Sequence, residues 1–527
     1  MSRSLVRSGM VVSIMTFLSR VLGLVRDVVI ANLLGAGTAA DVFFFANRIP
    51  NFLRRLFGEG AFAQAFVPVL AEEKERNGLD GVRLLMARAS GTLGTLITIV
   101  TLLAVIGSPV VAAIFGTGWF LDWWQGGPDA AKFELASLLL KITFPYLWFV
   151  TLTALAGAVL NTLGKFGVAS FTPVLLNVVM ISAALWLAPM MESPELALAI
   201  GVFVGGLVQL LFQLPFLYRA KVLVKPVWAW NDPSVVKIRT LMIPALFGVS
   251  VSQINLLLDT VIASFLQTGS ISWLYYADRL LEFPLGLFGI AIATVILPSL
   301  SARHTNNNPQ AFTQTLDWAL RSVAFVGVPA MFGLVILAQP LMMVLFMRGS
   351  FDAEDSLRAS HALMAYGSGL LFFMSIKILA PGYYARQDTK TPVRFGIIAM
   401  VANMGFNLLL VGPLSYVGLA LATAMSGALN AFLLYRGLAK AGVYHINRES
   451  ALVLLRMAAA AVVMTAAVWW LMGDSSDWLA LSTFERGLWL GWLLAAAIAI
   501  YLLAAALFGL RPRHLRPAVV ELPQAPL

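Results

Sequence analysis

Apolar runs of membrane-spanning length follow one another along almost the whole of this 527-residue chain. A helix crossing a bilayer needs about 20 predominantly apolar residues, the length that covers the hydrocarbon while pairing each backbone N–H and C=O within the helix. With breaks read from Gly, Pro and charge clusters, about fourteen such runs begin near residues 8, 41, 87, 132, 170, 195, 238, 271, 313, 357, 391, 416, 450 and 483. Residues that are 60% hydrophobic and only 12% charged exclude a soluble globule. The expected fold class is therefore an all-α polytopic membrane protein.

Charge placement orients these spans. With the N-terminus inside, the inward stretches carry about 23 Lys and Arg, among them Arg3, Arg7, Lys74, Arg76, Arg219, Lys221, Lys225, Arg436 and Arg511, and the outward stretches about four. Both termini are expected on the cytoplasmic side, and the net charge of +10 then reflects topology, not affinity for nucleic acid. The start, MSRSLVRSGMVVSIMTFLSRVLG, has the basic lead and apolar run of a signal peptide. Arg20 and Arg26 interrupt it and no small-residue cleavage site follows, so it reads as a retained first span. Trp119, Trp123 and Trp124 crowd the longest outward loop, a placement that suits interface anchoring, with stacking on a sugar as the alternative.

Several function classes drop out. Absence of Cys removes disulfides, thiolate catalysis and Cys-ligated metal. No phosphate-binding GxxxxGK[ST] loop occurs, and polar stretches of about 15 to 20 residues leave no room for a nucleotide-binding module. His304, His361, His445 and His514 are scattered, without an HExxH pair, so an enzyme is not expected. Glu72, Glu73 and Glu75 belong to a mixed charge run that reads as the solvated face of a cytoplasmic loop.

The sequence repeats itself. RDVVIANLLGAG from Arg26 pairs with LDTVIASFLQTG from Leu258, FFANR ending at Arg48 with YYADR ending at Arg279, and FVPVL around Pro68 with ILPSL around Pro298, at offsets of 232 to 230. Further on, the LALA run at Leu196 pairs with that at Leu419, and GGLVQ ending at Gln209 with SGALN ending at Asn430. The unit is six spans long. An even number of crossings returns the chain to the same side, so the copies are parallel repeats, as in transporters whose substrate sits between two lobes. The expected domains are a first lobe over 1–225, a second over 226–448, a helix pair over 449–510 and a cytoplasmic tail over 511–527.

Charges inside the leading spans of each copy give the functional clue. Arg20 and Arg26 fall in the first span and Arg48, Arg54 and Arg55 in the second, where each buried Arg costs roughly 2.5–3.5 kcal/mol unless it lines a wet cavity or meets an anion. Seven residues make nearly two helical turns, so Asp41, Arg48 and Arg55 share a face, joined by Asn51 and Glu59, while Pro50, Gly58 and Gly60 disfavour a straight helix. Arg20 and Asp27 align likewise, and the eighth span repeats the theme with Ser272 and Arg279 and with Asp278 and Glu282 one turn apart. A cationic cavity is one reading. Static pairing of every Arg with a neighbouring carboxylate is the other. A forked guanidinium also suits phosphate, which it grips with two parallel hydrogen bonds. Lys141, Arg321 and Lys377 stand alone near span ends and read as snorkelling or structural charges. Asp259, Asn403, Asn407 and Thr423 form an oxygen-only set suited to a monovalent cation such as Na⁺, or else to hydrogen bonds gluing helices together.

At these residues the chain resembles the MurJ (MviN) lipid II flippases of the multidrug, oligosaccharidyl-lipid and polysaccharide exporter superfamily, from about residue 8 to 510. The likeness is carried by SRVLGLVRD at Ser19, GAGTAADVFF at Gly35, RIPNFLRRLFGEGAFAQAFVPVL at Arg48, SQINLLLDTVIASFL at Ser252, SWLYYADRLLEFP at Ser272 and KILAPGYYARQDTKTP at Lys377. It implies fourteen helices in two six-helix lobes, a final pair forming a groove for the lipid tail, and a place in a bacterial inner membrane. The implied activity is export of the undecaprenyl-pyrophosphate-linked peptidoglycan precursor, lipid II, by alternating access, without a cofactor unless a monovalent ion. Membrane lipids and the cell-wall synthesis machinery are the implied partners. The resemblance assigns the pyrophosphate to Arg20, Arg26, Arg54 and Arg279, matches Asp41, Arg55, Ser272 and Glu282 to cavity positions, and maps a cation site of some members onto Asp259, Asn403, Asn407 and Thr423. The competing readings are a sister exporter of drugs or of another polyprenyl-linked oligosaccharide and, more remotely, a polyprenyl-phosphate glycosyltransferase.

Overall fold

The computed structural model describes residues 3–56, 62–286, 290–305 and 308–516, and every regular element among them is helical. Among the described residues ten helices are long and apolar enough to cross a membrane, from Ala65–Ile106 to Thr483–Leu507, and they match the third to sixth and ninth to fourteenth expected spans. The remaining four expected spans are those carrying Arg20, Arg48, Asp259 and Arg279, so the count of fourteen is not reached by length and apolarity alone.

Packing divides the chain into two compact units. The first runs to Ser272 and adds Arg348–Phe351. It holds α1 (Arg3–Leu34), α2 (Thr38–Leu53), α3 (Phe62–Ile106, bent at Gly78 where φ is +60°), α4 (Ser108–Phe115), α5 (Thr117–Gln125), α6 (Ala130–Thr143), α7 (Pro145–Thr162), α8 (Phe166–Ser182), α9 (Pro194–Arg219) and α10 (Pro233–Ala263). Here α1 lies along α8, α2 along α6, α3 along α7 and α10, and α9 against both α7 and α8. Small residues set the spacing, as expected where lipid supplies no hydrophobic drive for helices to associate. A Cβ on Gly205 or Gly206 of α9 would come within 2.5 Å of Leu176 or 2.7 Å of Tyr146. Phe66, Val69 and Leu70 of α3 pack with Leu155, Val159 and Leu160 of α7 and with Leu217, Val222 and Ile238.

The second unit begins at Trp273, within α11 (Ser270–Pro284). It continues with α12 (Ile290–Thr305), α13 (Pro309–Ile336), α14 (Ala338–Leu345), α15 (Ala353–Gly367), α16 (Leu370–Tyr384), α17 (Lys390–Leu414), α18 (Tyr416–Lys440), α19 (Arg448–Met472), α20 (Ser475–Ala480) and α21 (Thr483–Leu507). Its axis is α13, flanked by α12, α16 and α19, while α17 pairs with α18 and α19 with α21.

Two turns, one after α9 and one after α18, share one hydrogen-bond pattern. After α9, Lys221 N–H donates to Tyr218 O at 2.9 Å and Val222 N–H to Leu217 O at 3.1 Å. After α18, Gly442 N–H donates to Ala439 O and Val443 N–H to Leu438 O, both at 3.0 Å. Both turns need a left-handed residue, and the second copy places Gly there at φ +68°. The first copy places Lys at φ +58°, a conformation that costs a side-chain-bearing residue roughly 1–2 kcal/mol.

Candidate functional site

The heptad stripe of α2 survives folding as one continuous seam. Asp41, Arg48 and Arg55 meet partners from residues 253–272, in antiparallel order. Asp41, buried, accepts from Gly269 N–H at 2.7 Å, from Ser272 N–H at 2.9 Å and from the Ser272 hydroxyl at 2.6 Å. Arg48 donates through Nη1 to Thr260 Oγ1 at 2.9 Å, and Arg55 through Nη1 to Gln253 Oε1 at 3.4 Å. Gln253 and Thr260 are themselves seven residues apart. That matching period was the available signal for partners that sequence reasoning missed. Asn51 turns inward on its own helix, donating to Asn47 O at 2.8 Å and accepting from Arg54 Nε at 3.2 Å. Glu59, Gly58 and Gly60 lie outside the described residues.

On α1, Arg20 and Asp27 lie seven residues apart on one helix, and Asp27 takes its hydrogen bonds from its neighbour Arg26. Asp27, buried, takes Arg26 Nε at 3.0 Å and Nη2 at 2.8 Å on one carboxylate oxygen. Arg26 Nη1 reaches Asn177 of α8 at 3.0 Å, and the Asn177 amide donates to Ser19 O at 3.0 Å. Adjacent side chains meet here because the carboxylate is short and the guanidinium folds back over it. Arg20, half-buried, makes no hydrogen bond or ion pair among the described residues. In the second unit Arg279 donates to Glu282 at 3.0 Å, and its Nε and Nη2 both reach the Tyr275 hydroxyl at 3.2 Å, leaving the side chain 33% exposed.

The static-pairing alternative is thus realised for Arg26 and Arg279 but not for Arg48 and Arg55, whose partners among the described residues are neutral. Arg321 is structural, paired with Asp317 at 2.8 Å. Of the oxygen-only set, Asp259 lies in the first unit and Asn403, Asn407 and Thr423 in the second. Asn403 is 1% exposed with neither amide atom partnered among the described residues, whereas the Thr423 hydroxyl donates to Leu419 O at 3.0 Å. A buried amide without a partner is the kind of group that could serve as a ligand, and in this set Asn403 is such a group. No group of three or more His, Asp or Glu that could hold a metal occurs among the described residues.

Two sequence readings need correction. Trp119 is 2% exposed and packs on Phe45 at 5.0 Å, a core residue instead of a belt anchor, although Trp123 and Trp124 stay exposed. Glu72, Glu73 and Glu75 lie on a helix and not in a loop: α3 extends beside α10, where Glu72, partly exposed, pairs with Lys237 and Glu73 accepts from Ser234 Oγ at 2.8 Å, while Glu75 stays exposed.

A sequence profile described as lipid II flippase MurJ matches residues 30–489 of the chain. The chain belongs to the MurJ family. The Vibrio cholerae "Probable lipid II flippase MurJ" is 64% identical over 517 residues, 98% of each chain. The Burkholderia cenocepacia "Lipid II flippase MurJ" is 39% identical over 511 residues, 96% of this chain and 97% of that one. A solved structure of a lipid II flippase MurJ in an inward closed conformation superposes with TM-score 0.78 at 28% identity, covering 95% of this chain and 98% of that one. An inward-facing MATE-family multidrug resistance transporter of the MOP superfamily shares the fold at TM-score 0.67 and 12% identity, covering 82% and 98%. As a MurJ-family member the chain is a membrane transporter and not an enzyme.

Proposed function

We propose that this protein flips lipid II from the cytoplasmic to the periplasmic leaflet of a bacterial inner membrane. Alternating access exposes a cationic cavity between the two lobes first to one side, then to the other. Arg20, Arg26, Arg54 and Arg279 hold the pyrophosphate, with Asp41, Arg48, Asn51, Arg55, Ser272 and Glu282 lining the same path. The prenyl chain stays in lipid along the last helix pair, and no covalent bond changes. What supports this most is the charge balance on α1 and α2: Arg20, Arg48 and Arg55 have no carboxylate partner among the described residues. Cations held in a membrane domain without counter-charges call for a mobile anion, and a diphosphate supplies two adjacent forks' worth of oxygens.

The Asp41 seam to Gly269 and Ser272 is the contact that outward opening has to break. Asp259, Asn403, Asn407 and Thr423 are assigned to a monovalent cation. Membrane voltage, worth about 2.3 kcal/mol per charge per 100 mV, is the other source of bias for resetting an empty, positively charged cleft.

Depletion of the protein should make lipid II accumulate on the inner leaflet, and Arg279→Ala should fail to rescue growth while remaining expressed. Unchanged leaflet distribution after depletion would discard the cargo assignment. Full rescue by Arg279→Ala would discard the site.

A further inference from the structure

The stretch from α9 into α10 has features that cargo binding leaves unused. Between Leu196 and Asn231 the chain contains no Asp or Glu, yet Arg219, Lys221 and Lys225 stand there, all exposed. The segment after the turn at Lys221 is not loose. Val227 N–H donates to Ala87 O at 2.8 Å, and Ala229 N–H to Thr92 Oγ1 at 3.0 Å. Gly91 of α3 makes that approach possible, since a Cβ there would lie 2.2 Å from Val227 O.

Fixed in this way, Trp228 and Trp230 stack with centroids 5.9 Å apart and planes within 7°, while remaining 54% and 37% exposed. The Arg239 guanidinium lies over the Trp230 ring at 4.1 Å. A backbone-anchored pair of indoles among cations that stays partly exposed leaves a sizeable part of its apolar surface uncovered. Such a display suits the bilayer interface, where indole rings sit at headgroup level and juxtamembrane Lys and Arg attract anionic lipid.

The second copy of the repeat serves as an internal control. Its equivalent turn relieves backbone strain with Gly442, whereas the first copy keeps a cationic side chain at Lys221 in the same left-handed conformation. Strain retained at one copy and absent from the other marks the side chain as the reason.

We propose that Lys221, Lys225 and Arg239, with the Trp228–Trp230 stack, form a binding site for the phosphodiester headgroup of an anionic phospholipid in the cytoplasmic leaflet. The cations meet the phosphate, and the indoles lie against the glycerol region. The site is separate from the arginines assigned to cargo and does not depend on what the cargo is.

The test uses full-length protein stripped of lipid in a neutral detergent, with retention of dioctanoyl phosphatidylglycerol or dioctanoyl phosphatidylcholine counted by native mass spectrometry. Phosphatidylglycerol should be held in clear preference. Each cation removed should weaken it about fivefold, so Lys225→Gln with Arg239→Gln should weaken it about twenty-five-fold, leaving only the part due to Lys221 above the phosphatidylcholine level. Lys440→Gln, which removes an exposed cation of α18, should change nothing. Lys221→Gly is the decisive variant because it should weaken phosphatidylglycerol retention while raising the thermal midpoint, opposite signs that loss of structure cannot produce. Equal retention of the two lipids would reduce the feature to a neutral aromatic anchor and overturn the proposal. So would full retention by Lys221→Gly, or displacement of the lipid by millimolar inorganic phosphate.

Discussion

Each copy of the repeat hands the chain on through a short linker to a helix that docks back on the third helix of that copy, and the two junctions are built from opposite materials. In the first, α10 lies on α3, held by Arg88 to Asp232, Lys237 to Glu72, and Ser234 to Glu73. In the second, α19 lies on α13, where the Asp317 carboxylate accepts from the Tyr444 hydroxyl at 2.9 Å, the Ser450 hydroxyl at 2.7 Å and Arg321 at 2.8 Å. Around that group Met457, Ala460, Ala461, Met464 and Val468 of α19 close a buried apolar cluster with Ala324 and Val328 of α13 and with Leu490 and Leu493 of α21. The first junction is charged and partly wetted. The second is packed like a domain core. Exposed ion pairs form and break at little cost, whereas a dry network with its apolar surround separates only by exposing all of it at once. The contrast predicts that the junction at α10 opens more readily than the one at α19 and α21, the permanent junction of the two.

The largest effect is expected from breaking the permanent junction. Asp317→Ala strands Arg321 without its carboxylate and leaves two hydroxyls unsatisfied, a loss of about 3–5 kcal/mol. Thermal unfolding of the purified protein should register it equally at low and high salt. A salt-dependent loss would place the network in water and erase the distinction drawn above.

Arg88→Ala, the matching change at the first junction, should cost only about 1 kcal/mol because its pair with Asp232 is partly exposed. Hydrogen exchange at the start of α10 should rise, and in the wild type it should rise likewise as salt goes from about 0.05 to about 0.5 M, where the screening length falls severalfold. Asp232 also caps α10, accepting from Ser234 N–H at 3.0 Å, so Asp232→Ala should cost more than Arg88→Ala. Equal costs would mean that the cap contributes nothing.

Much of this was legible in the sequence, and what was not has a common cause. The positions of ten spans follow from apolar length and the stripe from periodicity, which folding preserves: Asp41, Arg48 and Arg55 meet one partner run because seven residues return to one face. Partners across helices do not follow from periodicity. Nothing local to Glu72 announces Lys237, some 165 positions away, and a mixed charge run reads as solvated until a helix is laid beside it. Trp119 was misread for the same reason, since an aromatic in an outward loop looks like a belt anchor unless the core it fills is known. The Arg26–Asp27 pair was missed because helical spacing rules concern residues three, four or seven apart, whereas a short carboxylate reaches the guanidinium next to it.

The smallest effect concerns how the chain leaves the permanent junction. Past α21, residues 510–516 fold back: Trp318 Nε1 donates to Leu515 O at 2.9 Å, Arg456 Nη1 to Gly509 O at 3.1 Å, and Arg511 N–H to His514 Nδ1 at 3.0 Å. An imidazole that accepts at Nδ1 has to be neutral there. Burial pushes the His514 pKa below its usual value of about 6.5, with Arg513, Arg456 and Arg321 acting in the same direction and Glu449 against it. With the folded value depressed, the docked turn contributes its full stability above about pH 6.5 and loses it as pH falls through that lower value. Amide exchange across 510–516 should therefore rise between about pH 7 and pH 5, after correction for intrinsic rates, while α10 and α3 show no matching change. His514→Asn, which keeps an acceptor but cannot take the proton, should flatten the response. If the wild-type segment were already as exchangeable at neutral pH as in acid, the turn would be held by Trp318 and Arg456 alone, and the permanent junction would end at α21.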